Sequence, residues 1–121
     1  MRVMIVDDDE TLLQSMHDWF VSSGNEVVAF NRFEPAKRYL AHEQVDILVT
    51  DVRLGAYNGL QLVMLGKSER PEMTAIVLSG VEDPVLRNDA TNIGASFRIK
   101  PIPSEQLLNG LDFAGTQRFD R

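Results

Sequence analysis

Six polar side chains in this sequence stand where a short apolar run stops. Val3-Met4-Ile5-Val6 gives way to Asp7-Asp8-Asp9, and Ile47-Leu48-Val49-Thr50 gives way to Asp51. Ala75-Ile76-Val77-Leu78 ends at Ser79, and Phe97-Arg98-Ile99 ends at Lys100-Pro101. Runs this short and apolar throughout read as strands buried on both faces, the habit of a parallel sheet. In such a sheet ligands gather outside the carboxyl ends of the strands. Each residue alone has an ordinary explanation. An Asp between strand and helix is a common N-cap, Asp51 fits a loop start, Ser79 a turn and Lys100 a solvated strand end. Taken together they describe chemistry. Carboxylates converging in one cleft repel each other unless cations compensate. Mg²⁺ does so with one or two protein carboxylates plus water and phosphate oxygens. An ammonium and a hydroxyl complete a set suited to phosphoryl transfer, where positioning and charge neutralisation do most of the catalysis.

The elements that must position these residues alternate along the chain. Leu12, Leu13, Met16, Trp19 and Phe20 recur at helical spacing up to the stop at Gly24-Asn25. Glu26–Phe30 reads as a second strand, and Pro35 opens a short helix with Ala36, Tyr39 and Leu40 on one side. A loop through Gly55 and Asn58-Gly59 leads to a helix over Leu60–Lys67, and Asp83-Pro84 caps a helix running to Gly94. Pro103-Ser104 starts a last helix through Leu107, Leu108 and Leu111, with Ser104 as its N-cap, before a frayed tail over Thr116–Arg121. Five strands alternating with five helices make an α/β domain around a parallel sheet.

Composition bounds the rest. The 121 residues are the size of one domain, so residues 1–121 are read as a single unit with a core over about 2–113. Eighteen acids against twelve bases leave a net charge of −6, which argues against direct nucleic-acid binding, since such domains carry a basic face. The lack of cysteine excludes thiolate metal sites and disulfides. No apolar run approaches a membrane span, and the N-terminal apolar stretch ends in acids rather than in a signal-peptide pattern. A cytoplasmic location is the expectation.

The ordered set of segments Met4-Ile5-Val6-Asp7-Asp8-Asp9, Asp46-Ile47-Leu48-Val49-Thr50-Asp51, Asn58-Gly59, Ala75-Ile76-Val77-Leu78-Ser79-Gly80, Gly94-Ala95 and Phe97-Arg98-Ile99-Lys100-Pro101 resembles the receiver domain of two-component response regulators, the CheY-like superfamily. The resemblance spans essentially the whole chain. It implies a flavodoxin-like doubly wound (βα)5 fold with a five-stranded parallel sheet in the order 2-1-3-4-5. It implies that Asp51 is the phosphoacceptor, phosphorylated by a histidine kinase or histidine phosphotransfer protein, and that the domain is not an enzyme beyond its own autophosphorylation and autodephosphorylation. Mg²⁺ or Mn²⁺ would be held by Asp8, Asp51 and the backbone carbonyl of Arg53, with Asp7 acting largely through water. Ser79 and Lys100 would bind the phosphoryl group, Phe97 would be the aromatic switch, and the Lys100-Pro101 bond would be cis. The output surface would be the face of the fourth helix, fifth strand and fifth helix, with Arg87, Asn88, Arg98, Gln106 and Asn109 as its polar residues. That face could also carry a homodimer. The downstream partner would be another protein or a linked output domain, the chain being a stand-alone regulator or the N-terminal domain of a longer one.

Three positions depart from the family pattern. Gly55 stands where a proline is common, Ser79 where Thr is commoner, and the link from Gly94-Ala95 to Phe97 is one residue shorter than usual. Arg53 and Val81 occupy variable positions beside the site, where they could shield an acyl phosphate from water. A rival reading takes Asp7-Asp8-Asp9-Glu10-Thr11 as the D-x-D-x-T motif of haloacid-dehalogenase-like phosphatases, with Asp7 as nucleophile and Asp9 as general acid/base. That reading lacks a later acidic pair at a strand end, because only Glu105, Asp112 and Asp120 follow Lys100, and it leaves Asp51 idle. A non-phosphorylated interaction module is the other alternative, but both the acceptor and the lysine are present. His17 and His42 have no partners at metal-ligand spacing and read as solvated or helix-packing residues.

Overall fold

The computed structural model describes residues 1–111. Strand β1 (Arg2–Val6) leads to helix α1 (Glu10–Ser22), β2 (Glu26–Phe30) to α2 (Phe33–His42), and β3 (Ile47–Asp51) to α3 (Leu60–Glu69). β4 (Thr74–Ser79) leads to α4 (Pro84–Asn92) and then to β5 (Ala95–Ile99). Between β3 and α3 lies a small antiparallel hairpin of Arg53–Leu54 and Tyr57–Asn58. The five main strands form one parallel sheet in the order β2-β1-β3-β4-β5.

Strand residues alternate between two cores, as the two-residue period requires. Met4, Val6, Leu48, Ala75, Val77 and Phe97 face the side covered by α2, α3 and α4. Val3, Ile5, Ile47, Val49, Ile76 and Leu78 face α1 together with Leu107 and Leu108. Both faces are therefore dry, which accounts for strands that are apolar throughout. Register fixes where they end. Val6 pairs with Thr50, Asp51 with Leu78 and Ser79 with Ile99, so the residues just beyond β1, β3, β4 and β5 emerge along one edge.

Helix starts follow the expected chemistry in two places. Asp9 Oδ1 accepts from the Thr11 and Leu12 N–H groups at 3.1 and 3.2 Å, and Asp83 Oδ1 accepts from Val85 and Leu86 at 3.0 and 3.2 Å, with Pro84 opening α4. Helix α2 begins at Phe33, two residues before Pro35, because proline fits anywhere in the first turn, where its missing N–H has no acceptor.

The expected fifth helix is a correction. Ser104–Gln106 is a single 3₁₀ turn, Ser104 makes no side-chain cap because Pro103 holds the cap position, and residues 107–110 continue as turns. Gly110 adopts φ +79°, the left-handed geometry that ends a helix, so Asn109-Gly110 stops the segment that the leucine spacing would prolong. Leu107 and Leu108 are nonetheless buried beside α1. The rest of that helix, Asp112, Asp120 and the tail at Thr116–Arg121 lie outside the described residues. Among the described residues no helix is long and apolar enough to cross a membrane.

Candidate functional site

The end of β1 supplies the most buried acid among the described residues. Asp7 is fully buried, its N–H donates to the Phe30 carbonyl at 3.1 Å, and its Oδ1 accepts from the Asp9 N–H at 2.9 Å. Its other oxygen, Oδ2, has no hydrogen bond of good geometry, although Lys100 Nζ lies 2.9 Å away. That contact is an ion pair set off the direction a hydrogen bond needs. Asp8 is exposed, and Asp51, at the end of β3, is buried. One carboxylate oxygen from each of Asp7, Asp8 and Asp51 falls within 4.8 Å of the others. The sequence expectation of an acidic cluster from two strand ends is met, and these three acids come together as expected.

Lys100 reaches this cluster from the far side of the sheet. Its N–H donates to the Ser79 carbonyl at 2.8 Å, and Nζ lies 3.3 Å from Asp51 Oδ2 as well as 2.9 Å from Asp7. The Lys100-Pro101 bond is cis, as the resemblance implies. Burial alone disfavours the ammonium, but the adjacent Asp7 and Asp51 carboxylates outweigh it and raise the Lys100 pKa. Burial and the Asp7 charge push the Asp51 carboxyl above its ordinary pKa, with Lys100 pulling the other way. A carboxylate held this way is short of positive charge, and a cation at the cluster would relieve it.

Ser79 is buried, and its hydroxyl is turned to its own loop. Oγ donates to the Val81 carbonyl at 2.8 Å and accepts from the Val81 N–H at 3.2 Å. Phe97 is 4% exposed, its ring inside the α4-side core. Arg53 is exposed at the start of the hairpin, next to Asp51 and Val52. Asp9, which the phosphatase reading needs as an acid/base, is instead committed to capping α1. His17 stands half-buried on α1, 3.2 Å from Asp18 Oδ1.

Sequence reasoning missed three features. Gly59 lies so close to β3 that a Cβ there would stand 2.1 Å from the Asp51 carbonyl oxygen, and its N–H donates to Val52 at 2.7 Å. The signal was present in Asn58-Gly59 but pointed only to a turn. The Phe33 and Tyr57 rings stack at 4.3 Å and 7°, fastening the hairpin to the start of α2. Arg87 covers the Phe97 ring, its guanidinium carbon 4.8 Å from the centroid. Aromatic and Arg contacts across separate elements leave no periodic trace in a sequence.

Comparison with known proteins decides the family. The family model for the response regulator receiver domain matches residues 3–112. The chain belongs to this family. The receiver is 31% identical to the transcriptional regulatory protein GlrR of Escherichia coli over 117 residues, which cover 93% of this chain and 26% of GlrR. Among solved structures, a CheY-like receiver domain protein from Methanospirillum hungatei matches with a TM-score of 0.82 and 26% identity, over 88% of this chain and 86% of that one. A response regulator from Burkholderia pseudomallei, solved with a phosphorylated aspartic acid, a calcium ion and citrate, shares the fold with a TM-score of 0.84 at 22% identity, over 92% of this chain and 66% of that one. The receiver spans about a quarter of the length of the curated relatives it matches. Receivers are phosphoacceptor domains of two-component signalling, and the flavodoxin-like sheet order expected from the resemblance is the one found.

Proposed function

We propose that Asp51 accepts a phosphoryl group from a phosphohistidine on a histidine kinase or phosphotransfer protein. The observation that carries this reading is the convergence of the Asp7, Asp8 and Asp51 oxygens around a buried, hydrogen-bond-poor Asp7 Oδ2, with Lys100 against Asp7 and Asp51. An Asp51 oxygen forms the new O–P bond as the donor's N–P bond breaks, and the imidazole leaves with that electron pair and takes up a proton. Lys100 neutralises charge on the arriving phosphoryl group, and Ser79 is placed to donate its hydroxyl once it leaves Val81. Asp7, Asp8 and Asp51, with the Arg53 carbonyl, would hold a divalent cation, Mg²⁺ or Mn²⁺. The all-oxygen donor set suits a hard ion. When bound, it neutralises phosphoryl and carboxylate oxygens.

The consequence of phosphorylation lies on the face of α4 and β5, next to Ser79 at the end of β4 and with Phe97 on the adjacent β5. A shift there would be read by an output domain or partner protein, in keeping with relatives roughly four times longer than this chain. To convert a mostly inactive population, the acyl phosphate must favour the active arrangement by several kcal/mol. Intact-mass measurement after incubation with a small phosphodonor and Mg²⁺ tests the assignment. One added phosphoryl group is expected in the wild type and in Asp9→Asn, and none in Asp51→Asn. Labelling that survives Asp51→Asn but disappears in Asp7→Asn would overturn the reading in favour of a phosphatase-like nucleophile.

A further inference from the structure

Thr50 is a polar side chain in a rung of the sheet that is otherwise apolar. Register sets it between Val6 on β1 and Val77 on β4, and the rung runs on to Phe30 on β2 and Phe97 on β5. Alternation along β3 turns Thr50 to the same side as Leu48, into the core under α2, α3 and α4, where it is wholly buried. Valine has nearly the same shape, suits a strand as well, and brings no hydroxyl to satisfy. A hydroxyl in such a place needs a partner, and it has one. Oγ1 donates to the backbone carbonyl of Asp51 at 2.9 Å.

The peptide group that carries this carbonyl is held at both of its polar atoms. Its N–H, that of Val52, donates to the Leu78 carbonyl at 2.9 Å. Its oxygen takes the Thr50 hydroxyl, and both oxygens lie against Gly59, where a Cβ would stand 2.9 Å from Thr50 Oγ1. Gly59 gives that oxygen no N–H, because its own donates to the Val52 carbonyl at 2.7 Å. We propose that Thr50 is a positioning residue for phosphoryl acceptance, its hydroxyl fixing the Asp51–Val52 peptide and through it the aim of the Asp51 carboxylate. A peptide free to rock about the Asp51 Cα–C bond would carry Val52 and Arg53 with it, and the Arg53 backbone N–H faces the Asp51 carboxylate and favours its ionised form. Acceptor and donor must meet within a fraction of an ångström of the productive geometry, so a small freedom here slows the reaction without unfolding the domain. The role in phosphoryl acceptance rests on the phosphoryl reading of Asp51, whereas the hold on the carbonyl does not.

The test uses the whole chain. Thr50→Val keeps the shape and removes the hydroxyl, Thr50→Ser keeps the hydroxyl and removes the methyl, and Thr50→Ala removes both. In the resting, metal-free protein the ¹³C resonance of the Asp51 backbone carbonyl should move upfield in Thr50→Val and Thr50→Ala and hold in Thr50→Ser. With phosphoramidate and Mg²⁺, the rate of gaining one phosphoryl mass should fall about five- to tenfold in Thr50→Val and Thr50→Ala, the worth of one hydrogen bond, and by less than about twofold in Thr50→Ser. Urea midpoints should run the other way, Thr50→Ser below Thr50→Val for want of a buried methyl, so that rate and stability rank the two oppositely. Labelling of Thr50→Val at the wild-type rate overturns the proposal, and so does slow labelling of Thr50→Ser, which would leave the residue to packing alone. If Thr50→Val does not fold, Thr50→Ala against Thr50→Ser decides by the same criteria. An unmoved Asp51 carbonyl line in the variants that lack the hydroxyl refutes the hold itself. No mass gain in wild type refutes the Asp51 reading, while the carbonyl line still decides the hold.

Discussion

Asp51 is ionised at a cost when nothing but Lys100 compensates it. Burial and the neighbouring Asp7 raise its pKa, and Lys100 only partly opposes them. A raised folded-state value means the native protein binds the proton more tightly than the unfolded chain. The stabilising contribution of this group is complete below its unfolded value near ~3.9 and is lost as pH rises through the folded value. Asp51→Asn should therefore stabilise the metal-free protein at pH 7, by on the order of 1 kcal/mol in urea unfolding with EDTA present. That advantage should shrink as the pH falls toward 4. A less stable variant at pH 7 would show that the Lys100 attraction dominates after all. Lys100 follows the same sign in a higher window: its raised pKa keeps its contribution intact through neutrality and loses it only above the ordinary lysine range. The residue types at this site are legible in sequence because each closes an apolar run. That Lys100 pairs more closely with Asp7 than with Asp51 is not, since strand-end position says nothing of where a four-carbon stem will settle.

Between β3 and α3 the chain has to leave the sheet, form a hairpin and return to start a helix within a few residues. Gly59 makes this possible by passing against the Asp51 carbonyl where no side chain fits. Gly59→Ala should cost about 2–3 kcal/mol, because the atom met is strand backbone and not a side chain that can turn aside. Because that backbone carries Asp51, phosphodonor labelling should fall as well. Gly80→Ala is the control. Nothing lies within 4 Å of a Cβ there, and urea midpoint and labelling should both hold. Comparable losses in the two variants would remove the close-approach argument. The strands and first four helices are legible to within a few residues because burial and caps such as Asp9 and Asp83 are local. The hairpin is not, since strands of two residues carry no period, and the leucine spacing at 107, 108 and 111 suggests a helix that Asn109-Gly110 interrupts.

The strand order gathers charges that lie far apart in the sequence. β1 and β3 are neighbours, so Asp7 and Asp51 emerge side by side, whereas Lys100 must reach them from β5 across intervening strands spaced about 4.8 Å apart. A long, flexible cation is the residue that can make that crossing, and one such charge does not balance three carboxylates. Part of the net charge of −6 is therefore concentrated at one edge of the sheet. A divalent cation that binds the folded cluster and not the unfolded chain must stabilise the whole domain. At about one hundred times its dissociation constant the gain is about 2.7 kcal/mol, which corresponds to a rise in Tm of roughly 10 °C for a domain of this size. Thermal melts in EDTA and in Mg²⁺ should show that rise in wild type. Asp8→Asn should lose most of it. Asp51→Asn should start from a higher Tm in EDTA yet gain less from Mg²⁺, because the substitution that relieves the repulsion also removes a ligand. Equal Mg²⁺ gains in all three proteins would place the ion elsewhere, and the acidic edge would then have to be explained by Lys100 alone.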